Sequence, residues 1–408
     1  MRFITSLISI TLCLYGVWDT GRAGLSRLYS NYSMMTGTLA LADEAVNLNP
    51  ADPQAYYARA VVLSGRDEFA EAAREYERAI ASRPQDYFLW LALGRTRDQV
   101  DDEQGALVAF KEAVRLAPHY AQPRWQLGNL LLRAGRYDEA FAELRRAAQS
   151  DPELFPAVID LAWGAYDGDA PAVERALRPE TPADRLALAR FFIKQGSTTE
   201  AIRLFRAAGD VSDQDRRALL DELIAAGRFN EAFEVWASGG HGGRVATITD
   251  GDFESETFLR GPGFGWQLNN IEALRVSLER GESRHGAQSM LLEFSGKSEP
   301  SSPIITQLVL VEPDTRYRLS FAVRTRELVT GGLPVVAIAD ASPGDKSTLA
   351  QSAPLPQDTS DWQDYAVEFN TSKTTSAIRI MVRRLNCTEV LCPIFGRVWL
   401  DDFALRKL

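Results

Sequence analysis

The chain has 408 residues, 45% apolar and 25% charged, an ordinary globular composition at a length that exceeds one typical core, so two or three domains are expected. Its net charge is −10, with 27 basic against 34 acidic residues over 1–240 and 18 against 21 over 241–408. Neither half offers the concentrated positive face that nucleic acid demands, which excludes that class of partner.

Residues 3–18 form a 16-residue run without a charge, flanked by Arg2 and by Asp19, Arg22 and Arg27. The run is longer than most signal-peptide cores and slightly short for a spanning helix. Leu12 before Cys13 excludes a lipoprotein site, while Gly21, Arg22 and Ala23 would serve for cleavage. The expectation is an uncleaved anchor at 3–18 that holds the chain on the periplasmic side of the inner membrane. A cleaved export signal stays open. The anchor is preferred because a helical unit begins near Asp19, and cleavage after Ala23 would clip it.

From 19 to 237 the apolar residues recur at helical spacing. Leu93 recurs as Leu127, Gly94 as Gly128, Ala106 as Ala140, Phe110 as Leu144, Ala113 as Ala147 and Pro118 as Pro152, each 34 residues on. Ala72, Tyr76, Ala79 and Pro84 stand one step earlier, and Ala45 and Pro50 one step before Ala79 and Pro84. Small residues let two antiparallel helices approach, large apolar ones fill the seam, and proline closes the second helix. The register resembles the tetratricopeptide repeat, which implies an all-α solenoid over 19–237. The clear units are 53–86, 87–120 and 121–154. Gly164, Gly168, Pro171 and Pro179 shorten the next, and 183–208 and 215–236 restore the pattern, for six or seven helix pairs.

By that resemblance the face lined by first helices takes an extended segment of a protein partner. It carries Tyr57, Phe88, Leu91, Arg95, Trp125 and Asn129. Packing of Phe88 and Trp125 against neighbouring repeats stays open. Arg95 and Asn129 are too few basic or amide groups for the carboxylate clamp of chaperone-binding members.

Residues 238–246 are glycine-rich and expected as a hinge. Beyond them, over 247–408, short alternating segments replace the helical period: 257–259, 274–278, 289–294, 304–310, 316–325, 335–339, 363–369, 377–383 and 397–405. Nine strands of this kind suggest an antiparallel β-sandwich. The stretches 328–334 and 340–356 are expected as long loops. The order of Asp250, Asp252, Phe253 and Glu254, then Trp266, His285, Tyr317, Trp362 and a closing Trp399, Asp401 and Phe403 resembles the jelly-roll carbohydrate-binding modules.

That resemblance implies two sites. A structural Ca2+ would join the first and last strands through Glu254, Asp401 and the Asp252 carbonyl, although two solvated acidic turns fit the same residues. A glycan would lie on Trp266 with Gln267, Gln307 and Arg324, unless Trp266 belongs to the core. Trp362, Tyr365 and Trp399 are expected inside the sandwich.

Cys387 and Cys392 lack the further ligands that zinc needs, so a local disulfide and an oxidising compartment are expected, with buried thiols as the alternative. His119, His241 and His285 are scattered, and no nucleophile motif, phosphate loop or metal-binding His pair occurs, so no enzyme is expected. No cofactor is required beyond that Ca2+. The reading is a non-catalytic, exported or tethered scaffold, with repeats holding a protein and the sandwich a polysaccharide, as in cell-envelope polysaccharide assembly or export. The alternative is a pure protein-interaction adaptor with a structural sandwich.

Overall fold

The computed structural model describes residues 2–240, 246–255, 263–269, 271–297, 302–344, 347–387 and 392–408. Among these, fourteen α-helices precede ten strands, and the chain divides into two compact units, Met1–Pro179 and Glu180–Leu408.

The first unit holds five helix pairs: α1 (Arg2–Thr36) with α2 (Leu39–Leu48), α3 (Pro53–Ser64) with α4 (Phe69–Ser82), α5 (Tyr87–Asp98) with α6 (Glu103–Leu116), α7 (Ala121–Arg133) with α8 (Tyr137–Ser150), and α9 (Phe155–Ala165) with α10 (Ala170–Leu177). The repeat ladder has a steric content. A Cβ on Gly94 would lie 2.5 Å from the Phe110 ring, and one on Gly128 2.6 Å from Leu144. The glycines are therefore where first and second helices touch. Asp52 and Asp86 cap first helices, accepting from the Gln54 and Phe88 amides at 3.0 and 3.1 Å. Between the paired helices the chain turns through Asp67, Asp101 and Gly135, each left-handed (φ 63°, 58° and 72°) and 34 residues apart. Aspartate and glycine tolerate that conformation where branched residues do not.

Ser26, Ser30 and Ser33 of α1 are fully buried, and the Ser26 hydroxyl donates to the Ala45 carbonyl at 2.7 Å. The second half of α1 is thus the first helix of the first pair, as the register requires. No helix among the described residues is long and apolar enough to cross a membrane. The uncharged run rises only about 24 Å against about 30 Å of hydrocarbon.

The second unit combines α11 (Pro182–Lys194), α12 (Thr198–Ala208), α13 (Asp213–Ala225) and α14 (Phe229–Ala237) with two five-stranded antiparallel sheets. The strands are β1 (Gln267–Leu268), β2 (Leu274–Arg280), β3 (Gln288–Lys297), β4 (Ile305–Leu310), β5 (Arg316–Thr330), β6 (Pro334–Asp340), β7 (Thr348–Gln351), β8 (Asp358–Asn370), β9 (Ala377–Arg384) and β10 (Pro393–Lys407). One sheet runs β1-β4-β9-β6-β7 and the other β2-β3-β10-β5-β8. Their apolar faces meet in one core that includes Phe253, Trp266, Phe321, Ile380 and Val398.

Eight expected strands are present, most of them longer than the pattern indicates. The expected strand at 257–259 lies outside the described residues. The two long loops are shorter than expected. β5 continues past a left-handed residue at Glu327 (φ 53°) to Thr330, and β7 pairs with β6 inside 340–356. The compact units divide at Pro179, not in the glycine-rich stretch, of which 241–245 lie outside the described residues. The reason is an aromatic cluster that joins α14 to the sandwich: Phe264 lies 5.1 Å from Phe233 and 5.7 Å from Trp236, ring centre to ring centre. Gly263 lets the chain pass against Leu220 and Trp236, and Gly227 of the α13–α14 turn rests on Pro343.

Candidate functional site: an aromatic cleft in the repeats

An open cleft of about 450 Å3 lies among α3, α4, α5 and α7. Its aromatic wall is Tyr57, Phe69, Tyr76 and Phe88. Tyr57 bridges the others, with ring centres 6.1 Å from Tyr76 and 5.9 Å from Phe88. Phe88 is 44% exposed, so its ring faces the opening. Much of the remaining wall comes from one stripe, Phe88, Ala92 and Arg95 of α5 with Gln99 at its C-cap, at spacings of four, three and four, which keep one face; Ser64 and Thr96 also line it. Gln126, the α7 equivalent of Ala92, adds an amide.

Burial makes the hydroxyls of this wall poor acids. It pushes Tyr76 up to about 12. It also raises Tyr57, with the Asp86 charge adding to the effect. Both remain neutral hydrogen-bonding groups at physiological pH. Arg95 is exposed and has no carboxylate within ion-pair distance among the described residues. Asp98, also in the cleft, is held by the Arg133 guanidinium at 2.6 and 2.7 Å.

Tyr57, Phe88 and Arg95 therefore come together as expected, and three expected residues do not. Leu91 is 1% exposed and packs with Phe110 and Leu127. Tyr57, Leu91 and Trp125 occupy one repeat position, 34 residues apart, and only the long Tyr57 side chain reaches the cleft. Trp125 is half-buried on α7 away from it, and Asn129 spends its amide on the Trp125 carbonyl at 2.8 Å. Tyr76, Gln99 and Gln126 were not expected. The signal for Gln99 was the α5 stripe itself, which separates 88, 92, 95 and 99 from the buried 91.

The sandwich does not assemble the expected glycan site. Trp266 is fully buried between Phe253 and Phe403, at 5.3 and 5.1 Å, and its Nε1 donates to the Asp250 carbonyl at 3.0 Å. It has no face to offer a sugar. Gln307 is also fully buried, its Nε2 donating to the Thr249 carbonyl at 2.7 Å. Gln267 is exposed, and Arg324 is paired with Glu282. Trp399 is buried too, but outside the core. Val398 and Leu400 point inward, so the intervening Trp399 faces the other side, under the guanidinium groups of Arg324 and Arg326 at 5.9 and 5.4 Å. Tyr365 is half-buried and stacks on Phe321 at 5.4 Å, and Trp362 is half-buried on β8.

Glu254 and Asp401 converge on the turn at 284–288. Glu254 Oε1 accepts from the Ala287 and Gln288 amides at 2.7 and 3.1 Å, and Asp401 Oδ2 from those of Arg284 and His285 at 2.7 and 3.4 Å. Asp252 is exposed, and no group of three His, Cys, Asp or Glu able to hold a metal occurs among the described residues. Cys387 and Cys392 are bridged, and Cys13 is free and exposed.

Helix pairs in a 34-residue register, glycine set against a large side chain in two of them, define a tetratricopeptide-repeat region, and such repeats are protein-interaction scaffolds. The tetratricopeptide-repeat family model matches residues 100–162. The anaphase-promoting complex subunit 3 of Schizosaccharomyces pombe is 26% identical over 112 residues, which is 28% of this chain and 17% of that protein. Among solved structures, YrrB, described as a tetratricopeptide-repeat protein with an unusual peptide-binding site, is similar over 45% of this chain and 89% of its own at 21% identity and a TM-score of 0.34. A family 4 carbohydrate-binding module is similar over 40% of this chain and 99% of its own, at 13% identity and a TM-score of 0.31. MamA of Desulfovibrio magneticus RS-1 covers 46% and 98%, at 17% identity and a TM-score of 0.35.

Proposed function

We propose that this chain is a non-catalytic adaptor whose repeat cleft grips a short extended segment of a protein partner, with the β-sandwich as a structural module. The observation that carries this reading is the cleft itself, where aromatic walls, amides and a guanidinium free of carboxylates meet on the first-helix face. Aromatic rings take bulky side chains, and amides satisfy an extended backbone. The burial of Trp266 and Trp399 counts against polysaccharide binding by the sandwich and favours the adaptor over a glycan-assembly scaffold. The test is a peptide-display library panned on the full chain and on Phe88→Ala. Peptides that bind the first and not the second support the reading; equal binding to both removes it.

A second proposal concerns location. Leu12, Leu14, Tyr15, Val17 and Trp18 are all exposed and point to every side of α1. A helix apolar all round suits an apolar surrounding on all sides. Arg22 lies over the Trp18 ring at 5.2 Å, a pairing suited to the headgroup boundary. These features favour insertion of the α1 arm into a bilayer, and the Cys387–Cys392 bridge favours an oxidising, exported location. Flotation of the chain with phospholipid vesicles, lost in Leu14→Glu/Trp18→Glu, is expected. Unchanged flotation of that variant overturns the proposal.

A further inference from the structure

Many arginines of the first unit are held in ion pairs. Arg74 pairs with Glu71, Arg97 with Glu77, Arg115 with Glu112, Arg124 with Glu143 and Arg136 with Glu139, at 2.5–2.7 Å. Arg95 has no such pair among the described residues, and it lies inside the cleft. The one carboxylate that lines the same cleft, Asp98, is already neutralised by Arg133 from the next repeat. On a chain of net charge −10 the cleft therefore presents a local positive charge beside an aromatic wall.

A guanidinium with free donors is best satisfied by a carboxylate, which it can meet with two parallel hydrogen bonds. The neighbouring rings of Tyr57 and Phe88 cannot supply that group, and they favour an apolar side chain instead. Phe88 and Arg95 are seven residues apart on one helix face, about 10 Å along the axis. An extended chain advances about 3.3 Å per residue, so that separation corresponds to two or three residues once the reach of both side chains is included. Gln126, at the α7 position equivalent to Ala92, and Gln99, four residues beyond Arg95, also line the cleft and offer amides to a bound backbone.

Building on the adaptor reading above, we propose that the occupant of the cleft is an acidic peptide segment in which an aspartate or glutamate lies two or three residues from a bulky apolar side chain. The apolar side chain fills the Tyr57–Phe88 wall and the carboxylate pairs with Arg95. This is a single-arginine site, with one internal carboxylate as its target.

The experiment uses the full chain and seven-residue fluorescent peptides with one Trp anchor. Asp or Glu is placed at each offset from one to four, and matched peptides carry Asn or Gln instead. Anisotropy is expected to show about fivefold tighter binding for the acid over the amide at offsets two and three, as for a partly exposed charge pair. The preference should vanish in Arg95→Gln and turn toward Lys-bearing peptides in Arg95→Glu. Arg95 is exposed, so neither change disturbs the core. Binding that depends on Phe88 but shows no acid preference, or an acid preference that survives Arg95→Gln, overturns this inference and leaves the adaptor reading intact. Binding that ignores Phe88→Ala, or no binding by either series, removes both.

Discussion

The aromatic joint between α14 and the sandwich makes a quantitative prediction about Phe264. Its side chain is 2% exposed and its ring meets Phe233 edge-on at 5.1 Å and Trp236 at 5.7 Å. Phe264→Ala removes a buried ring from a site bounded by two other rings and by the close approach of Gly263 to Leu220. The backbone there is already tight, so the cavity cannot collapse fully. Loss of transfer energy plus a residual cavity costs about 3–5 kcal/mol. Trp236→Ala, at 2% exposure, should cost a similar amount. Because the two rings share one contact, the double variant should cost less than the sum of the singles, by about 1 kcal/mol or more. The assay is urea unfolding of the full chain, with wild type, both single variants and the double compared as a cycle. Additivity within about 0.5 kcal/mol would refute the shared joint, because uncoupled sites add to that tolerance. So would a Phe264→Ala cost below about 1 kcal/mol.

Three further outcomes are expected. Gly94→Ala places a methyl 2.5 Å from the Phe110 ring and should cost about 1–3 kcal/mol by overpacking; circular dichroism melting should show part of that loss recovered in Gly94→Ala/Phe110→Leu, and no recovery would argue against that contact. Burial raises Asp250 to about 6, helped by the charges of Asp252 and Glu254, so folding favours its neutral form and the associated stability falls as pH rises from about 4 to 6. Asp250→Asn, which keeps an acceptor for the Ser255 amide and suits the left-handed backbone at φ 50°, should be more stable than wild type at pH 7 and equal to it near pH 4. The gain is about 1 kcal/mol once solvent screening of this half-exposed group is allowed for, and an equal difference at both pH values would contradict the assignment. Trp266→Ala should lower the unfolding free energy of the second unit by about 3–5 kcal/mol, and a variant of unchanged stability would mean that this ring is not in the core.

The repeat ladder is legible in the sequence because its small residues answer a steric demand. Gly94 and Gly128 recur where any side chain would strike the partner helix. The capping aspartates and the left-handed Asp67 and Asp101 belong to the same register. The strands are legible as alternation, and their lengths less so. β5 continues to Thr330 only because Glu327 takes a left-handed bulge that returns Leu328 to the core, and no local pattern announces that. Residue type alone could not separate Tyr57 from Leu91 and Trp125, which share a repeat position on three different helices, and of which only Tyr57 lines the cleft. Trp266 carries the composition of a sugar platform, yet Phe253 and Phe403, far apart in sequence, close over it. The side of the sheet that Trp399 occupies could be read from its neighbours, since Val398 and Leu400 are both apolar. The attachment of α11–α14 to the sandwich could not, because it depends on Phe264 meeting a helix across the glycine-rich stretch.

The grip of Arg133 on Asp98 ties the electrostatics of the cleft to mechanical tension. The two residues sit on first helices of successive repeats, so a pull that parts α7 from α5 lengthens that contact early. Once released, Asp98 lies three residues from Arg95 on the same helix, close enough to pair with it. The freed carboxylate would then occupy the guanidinium of Arg95. A chain stretched along its repeats would thus cancel the charge of its own cleft while every helix remained folded, and a bound acidic segment would in turn resist that stretch.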